Sequence, residues 1–393
     1  MSCRRASRNQ PSGVTNGRTA GFVLAGVLAL AATGCTAGVA RLPAVSTEAR
    51  SRLSDAAFWQ IVSGFSEEGG VFPSDNFVSN ETWFQHVIPQ LLQRTPRGGA
   101  YLGVGPDQNF TYIVALRPQI AFILDIRRQN LVLHLLYKAL IERSPDRATF
   151  LSGLFSRPRP PGLGRQSDAA SLMMSYAAVT PSDALFQDNL RAVVSRLTEH
   201  HHFALTREDL ANLASVYTAF FRNGPDIQYT IRTVPSLRFP TYAELIQQTD
   251  TGGEPHSYLA TEEHFRVLKD LEEKNLIVPI AGDFAGDKAL PAVGHYLEER
   301  GLHVTAFYVS NVEMYLFADP AAAAWRRFYA HVAALPIDER SLLIRSYNFL
   351  RLPAPNGSAS IQLATVLDSI EECVRAASDG RIARYADVIA RTQ

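Results

Sequence analysis

The sequence predicts an open α/β architecture: a mostly parallel sheet, helices on both faces and a helical insertion. Short apolar runs alternate with segments of helical period, as such a sheet requires. The first run ends in a glycine-bearing loop, and a carboxylate closes the second run about 20 residues later. Tyr101-Leu-Gly-Val-Gly-Pro-Asp-Gln-Asn109 reads as strand, loop and helix start, and Ile120-Ala-Phe-Ile-Leu-Asp125 as the second strand.

The N-terminus is expected to carry an address. Arg4, Arg5, Arg8 and Arg18 precede an apolar run from Gly21 to Ala32, which closes on Ala32-Thr-Gly-Cys35. A basic region, a short hydrophobic stretch and small residues make a secretory signal over residues 1–34. The run is too short to span a bilayer comfortably. The Cys after the small residues resembles a bacterial lipobox, which implies lipidation of Cys35 and an envelope protein facing the periplasm or exterior. An ordinary cleaved signal or an unprocessed anchor is the alternative. Residues 35–54 read as a tether and 55–393 as the folded domain. With Cys3 in the signal and Cys35 lipidated, Cys373 has no disulfide partner, and a thiolate-rich zinc site is not expected.

From Asp55 to Phe65 the apolar spacing predicts a short helix, and Glu81 to Arg94 an amphipathic one. Helices are expected over Phe110 to Leu116 and Asn130 to Glu142. About 146–225 carries helical period alone, clearest over Asp183 to His200 and Arg207 to Phe221, and forms the insertion. The insertion is expected to cover the crevice and decide what enters. Strands are then expected over Asn275 to Ile280, His303 to Val309, Ser341 to Arg345 and Ser360 to Val366. Helices over Thr261 to Lys274, Lys288 to Arg300, Ala321 to Leu335 and from Asp368 onward complete the alternation.

With 38 basic and 38 acidic side chains, formal net charge is zero. No overall field draws nucleic acid or an anionic membrane, so neither is an expected partner, apart from the membrane through an N-terminal lipid. No Gly-x-Ser-x-Gly elbow, Walker loop or His-Glu-x-x-His helix appears, which leaves the common hydrolase and nucleotidase readings without support.

In an open α/β sheet, ligands bind outside the carboxyl ends of the strands where strand order reverses. Those ends carry Gly103 to Asn109, Asp125, Gly282-Asp-Phe-Ala-Gly286 and Ser310-Asn311. These residues resemble the class I S-adenosylmethionine-dependent methyltransferase superfamily, over roughly Glu81 to Phe150 and Thr261 to Val366. The resemblance implies a Rossmann-like fold and S-adenosylmethionine as cofactor. Gly103 and Gly105 would face its methionine part, Asp125 the ribose, and Asp283 with Phe284 the adenine. Pro106, Asp107, Gln108, Asn109 and Ser310 complete the implied cofactor-binding set. Asn311, Glu313 or Asp283 would orient or deprotonate a small methyl acceptor. The chain departs from the pattern at Tyr101, where an acid is usual, and at Asp107, where a third glycine often stands; the full dinucleotide pattern fails as well, because Gln108 occupies its last glycine position.

The chain also resembles an uncharacterised bacterial family that shares Ser74-Asp-Asn-Phe-Val-Ser-Asn-Glu81, the glycine loop, Gly282-Asp-Phe-Ala-Gly286 and Tyr308-Val-Ser-Asn-Val-Glu313. No known reaction comes with it.

Each candidate has a plainer reading. Asp125 pairs with Arg127 or Arg128, Asp283 caps the next helix, and Ser310-Asn311 closes a strand. Ser74 to Glu81 either supplies an N-cap or folds over the crevice as a flap. His200-His201-His202 is expected at a solvated helix end, since adjacent residues on a helix point apart. His134 and Tyr137 are expected as partly buried packing residues. The functional alternative to an enzyme is a non-catalytic surface lipoprotein whose crevice binds another ligand or a protein partner.

Overall fold

The computed structural model describes residues 52–230, 238–319, 321, 323–353 and 359–391. The expected signal, the expected lipidation site Cys35 and nearly all of the expected tether lie outside them. Among the described residues no helix is long and apolar enough to cross a membrane.

Six strands form one sheet in the order β3-β2-β1-β4-β5-β6. They are β1 (Ala100–Val104), β2 (Ile120–Asp125), β3 (Ile277–Ala281), β4 (Val304–Ser310), β5 (Leu342–Pro353) and β6 (Ala359–Ser369). All neighbours are parallel except β5 and β6, which pair antiparallel. The chain is therefore α/β with a mostly parallel, Rossmann-like sheet. β2 and β3 are buried along their whole length, which is why they read as unbroken apolar runs rather than alternating ones. Strand order reverses between β1 and β4, so the crevice belongs at their carboxyl ends.

Ahead of the sheet lie α1 (Asp55–Phe65), capped by the Ser54 hydroxyl, and α2 (Ile88–Arg94). The helix expected from Glu81 starts seven residues late, after a 3-10 turn over Phe84–Val87. Pro89 explains the delay, because proline is tolerated in the first turn but would break a helix already under way. α3 (Gln108–Leu116) follows β1 and α4 (Arg128–Arg143) follows β2.

The insertion comprises α5 (Arg147–Phe155), α6 (Ala169–Ala177), α7 (Asp183–Ser195), a π-turn at Arg196–His200 and α8 (Arg207–Asn223). α4 is buried on nearly every face, with strands on one side and α5 and α8 on the other. Burying that second apolar face is the work of the insertion. It does not cover the crevice, since no residue of 146–225 reaches the cavity described below. His201 corrects another expectation. It is 4% exposed, with Nε2 2.7 Å from Glu142 and Nδ1 3.0 Å from Asp55, so it joins the insertion to α4 and α1. His134 and Tyr137 are fully enclosed.

Beyond the insertion come α9 (Tyr242–Ile246), α10 (Glu262–Glu273), α11 (Ala289–Glu299), α12 (Val312–Leu316) and α13 (Ala324–Ala333). The chain closes with α14 (Ile370–Ser378) and α15 (Tyr385–Ala390).

Candidate functional site

A cavity of about 370 Å³ lies at the switch point. Its walls include Gly105 and Pro106 after β1, Asp125 at the end of β2, Asp283 and Phe284 after β3, and Ser310 and Asn311 after β4. Seven residues singled out from sequence therefore converge on one crevice. Its volume is in the range of small-molecule sites.

The other five do not line it. Gly103 is needed for a different reason: a Cβ there would overlap the Asn109 carboxamide. Asn109 Nδ2 donates to the carbonyls of Val104 (2.9 Å), Gly105 (3.3 Å) and Pro106 (2.7 Å), and Tyr101 OH donates to Oδ1 at 2.9 Å. The loop is thus stitched from inside by its own helix, and Tyr101 serves that stitching where the resembled family has an acid. Gly105, at φ 78°, takes the left-handed turn. Its carbonyl lies 2.8 Å from His134 Nε2, so that nitrogen must carry the proton. Burial first of all lowers the His134 pKa to about 4 and keeps the ring neutral.

Asp107 points away from the crevice into a tyrosine cluster. Tyr258 OH donates to its Oδ2 at 2.8 Å, and Tyr242 OH lies 2.6 Å from Tyr258 OH. Burial raises the Asp107 pKa to about 7, against the lowering effect of the Tyr258 bond. Glu313 is likewise committed elsewhere. It sits 2% exposed against Arg345, which donates from Nε to Oε2 at 2.5 Å and from Nη2 to Oε1 at 3.2 Å. Arg345 also pairs with Asp368 at 2.8 Å, and Tyr329 OH donates to Glu313 at 2.5 Å. This closed network ties α12, α13, β5 and β6 together and leaves Glu313 no access to an acceptor.

Within the crevice, Asp125 takes the plainer of its two readings with Arg127. Arg127 Nε and Nη2 each lie 3.1 Å from one carboxylate oxygen, and the Arg127 backbone N–H donates to Oδ1 at 2.9 Å. Asp283 does not cap α11. Its Oδ1 accepts from Ala285 N at 2.9 Å, a local turn, while Glu67 accepts from the backbone N–H of Lys288 (3.0 Å) and Ala289 (2.6 Å). Phe284 stacks on Phe328 at 5.8 Å and meets Phe307 edge-on at 5.1 Å, so its ring is mostly core.

Sequence reasoning missed the residue at the centre of the floor. Glu81 is fully buried yet lines the cavity. Its Oε1 accepts from Tyr308 OH at 2.7 Å and Ser310 Oγ at 2.5 Å, and its Oε2 from Gln108 Nε2 at 2.8 Å and from Ser346 Oγ. Four donors and no acceptors around it suit an ionised carboxylate. Burial, and then the negative charge of Glu81, push the Tyr308 phenol well above its ordinary range, so it remains a donor. Ser310 adopts a left-handed φ of 51° where the β4–β5 register slips, and that conformation aims its hydroxyl at Glu81.

Ser66 to Glu81 forms a strap across the strand ends in their spatial order. Glu67 N bonds the Ala281 carbonyl (2.8 Å) beside β3, and Gly70 N bonds the Ile126 carbonyl (2.6 Å) beside β2. Asn76 comes next to Gly105 after β1, Ser79 bonds Gln108, and Glu81 lands on β4 and β5. The flap drawn from the polar run thus overlies the crevice, and its carboxylate end is the floor. Ser79 binds the backbone N–H of Glu81 at 3.1 Å instead of capping a helix. Among the described residues no cluster of His, Cys, Asp and Glu could hold a metal ion.

Fold and crevice together define an open α/β protein with a strapped cavity at its topological switch point. The chain belongs to the family described as a domain of unknown function, DUF7790, which matches residues 76–159 and 172–392. That match takes in the glycine loop, Glu81, the later strand ends and most of the insertion. No curated protein matches the chain.

Proposed function

We propose that the crevice binds a small adenosine-containing molecule, S-adenosylmethionine, and that the protein is a methyltransferase-like enzyme acting on a small acceptor. The observation that carries this reading is the cavity itself, at the switch point with Asp125, Gly105 and Asp283 in its wall. The residues fit such a ligand in part. Asp125 spends one oxygen on two donors and the other on one, which leaves Oδ2 capacity for a ribose hydroxyl. Among the described residues acids outnumber bases in the wall, which favours a ligand bearing sulfonium and ammonium charges. When bound, the cofactor would supply an electrophilic methyl group. The chain's own part would be alignment, with Asn311 beside the acceptor and Ser310 held to Glu81.

One observation favours a second reading. Glu313 is locked to Arg345 and Asp125 is already held by Arg127, so two groups nominated for chemistry or ligand binding are spent on structure. A non-catalytic surface lipoprotein, anchored through Cys35 in the cell envelope, would use the same crevice to bind another ligand or a protein partner.

Thermal unfolding with S-adenosylmethionine, S-adenosylhomocysteine and NAD separates the two, with Asp125→Asn alongside. A ligand at about 100 times its Kd adds about 2.7 kcal/mol. Stabilisation by the first two that is lost in the variant supports the enzyme and calls for an acceptor screen. No shift with any of the three sinks the methyltransferase reading and leaves the lipoprotein.

A further inference from the structure

We infer that the crevice is built for a quaternary ammonium group. The inference rests on the cavity being a small-molecule site and is independent of methyl transfer. Among the described residues five aromatic side chains border the cavity: Phe72, Tyr229, Phe284, Tyr308 and Tyr315. Phe72 and Tyr315 meet edge to face at 5.2 Å, so the strap closes against α12 through aromatic surface. The Arg127 guanidinium stands 5.8 Å from the Phe72 centroid, which shows this wall accepting a cation from the protein itself.

Charge points the same way. Among the described residues, the carboxylates and guanidinium of the lining are Glu81, Asp125, Asp283 and Arg127. Arg127 is committed to Asp125, so among the described residues the charges of Glu81 and Asp283 meet no other cation in the wall. A cation entering between the rings meets aromatic surface and, among the described wall residues, an excess of negative charge.

The bonding of Glu81 selects the kind of cation. Each of its oxygens already accepts two hydrogen bonds from the protein. A primary ammonium seeks hydrogen-bond acceptors and would have to displace Tyr308, Ser310, Gln108 or Ser346 to bond Glu81. A quaternary ammonium has no N–H to give and responds to charge and ring faces alone. A saturated carboxylate at the end of an aromatic-walled cavity therefore matches the quaternary form.

The test is calorimetric titration of the protein with choline, with ethanolamine, and with 3,3-dimethyl-1-butanol, the neutral isostere of choline. S-adenosylmethionine is run as a separate arm. Saturable choline binding is expected, about tenfold tighter than either comparison compound, and weakened about tenfold in Tyr315→Ala. Tyr315 is 42% exposed, so this variant should keep its fold, and an unchanged Tm without ligand checks that. Equal binding of choline and its neutral isostere, or no choline binding, overturns the inference. Choline binding without S-adenosylmethionine binding upholds it while the methyltransferase reading falls, and the reverse result does the opposite.

Discussion

Gln108 donates from Nε2 to Glu81 Oε2 at 2.8 Å while its Oε1 accepts from Ser79, so one carboxamide joins the first turn of α3 to both ends of the strap's last turn. Both Gln108 and Glu81 are within 4% of full burial. Gln108 stands where a dinucleotide-binding loop would have its last glycine, and the strap is the reason: a glycine there would offer the carboxylate nothing.

Replacing Gln108 by Leu keeps the volume and removes both bonds. Buried hydrogen bonds to a charged partner are worth about 1.5–3 kcal/mol, and the Ser79 hydroxyl, left without an acceptor, adds to the loss. Gln108→Leu is expected to lower unfolding stability by about 2–4 kcal/mol in urea denaturation. Gln108→Glu should cost at least as much, because it sets a second acid against Glu81. A loss below about 0.5 kcal/mol in Gln108→Leu would mean that the strap is not held here.

The other end of the strap makes a second prediction. Glu67 caps α11 through the N–H groups of Lys288 and Ala289, and Gly286 passes so close that a Cβ would overlap the Glu67 carboxylate. Gly286→Ala should therefore destabilise by about 1–3 kcal/mol. Glu67→Ala alone should cost about 1 kcal/mol through the lost cap and the lost charge at a helix N-terminus. In the Glu67→Ala background the three atoms that a Cβ at Gly286 meets first are gone, so its cost should largely vanish. A double-mutant cycle measures this coupling, and strict additivity would refute the close approach.

The strands and the glycine loop were legible because their signals are local. An unbroken apolar run such as Ile120 to Leu124 can only be a buried strand or buried helix, and its length with flanking turns decides between them. Asp125 was legible for the same reason, lying one residue past that run. Glu81 was not, because its partners lie 27 residues away at Gln108, 227 at Tyr308 and 265 at Ser346. The only trace was a carboxylate at the end of a polar run just before Trp83-Phe84, which equally fits an ordinary helix start. Asp107 misled in the opposite direction. It sits in the loop by sequence, but its side chain follows α3 and ends among tyrosines contributed by residues 242 and 258. A loop's residues share a backbone path, and the faces their side chains choose depend on elements far along the chain.

That placement of Asp107 makes stability depend on pH. Its ordinary pKa of 3.8 rises to about 7 in the folded protein, because burial disfavours the charge more than the Tyr258 bond supports it. A folded value above the unfolded one means that the unfolded chain releases the proton first as pH rises. The stability this group contributes is complete below about pH 4 and is lost progressively as pH rises to about 7. Asp107→Asn keeps an acceptor for Tyr258 OH and takes no part in the titration. Measured by urea denaturation from pH 4 to pH 8, the stability difference between variant and wild type should move in the variant's favour up to about pH 7 and then level off. The slope should approach about 1.4 kcal/mol per pH unit at its steepest. His134 titrates the other way: its folded pKa of about 4 lies below the ordinary 6.5, so it removes stability as pH falls through that interval. In the wild type the two slopes oppose each other between about pH 4 and pH 6.5, which is why the comparison must be the difference between variant and wild type. A difference that stays flat across the range would show that Asp107 is ionised in the folded chain and turned toward solvent or the crevice.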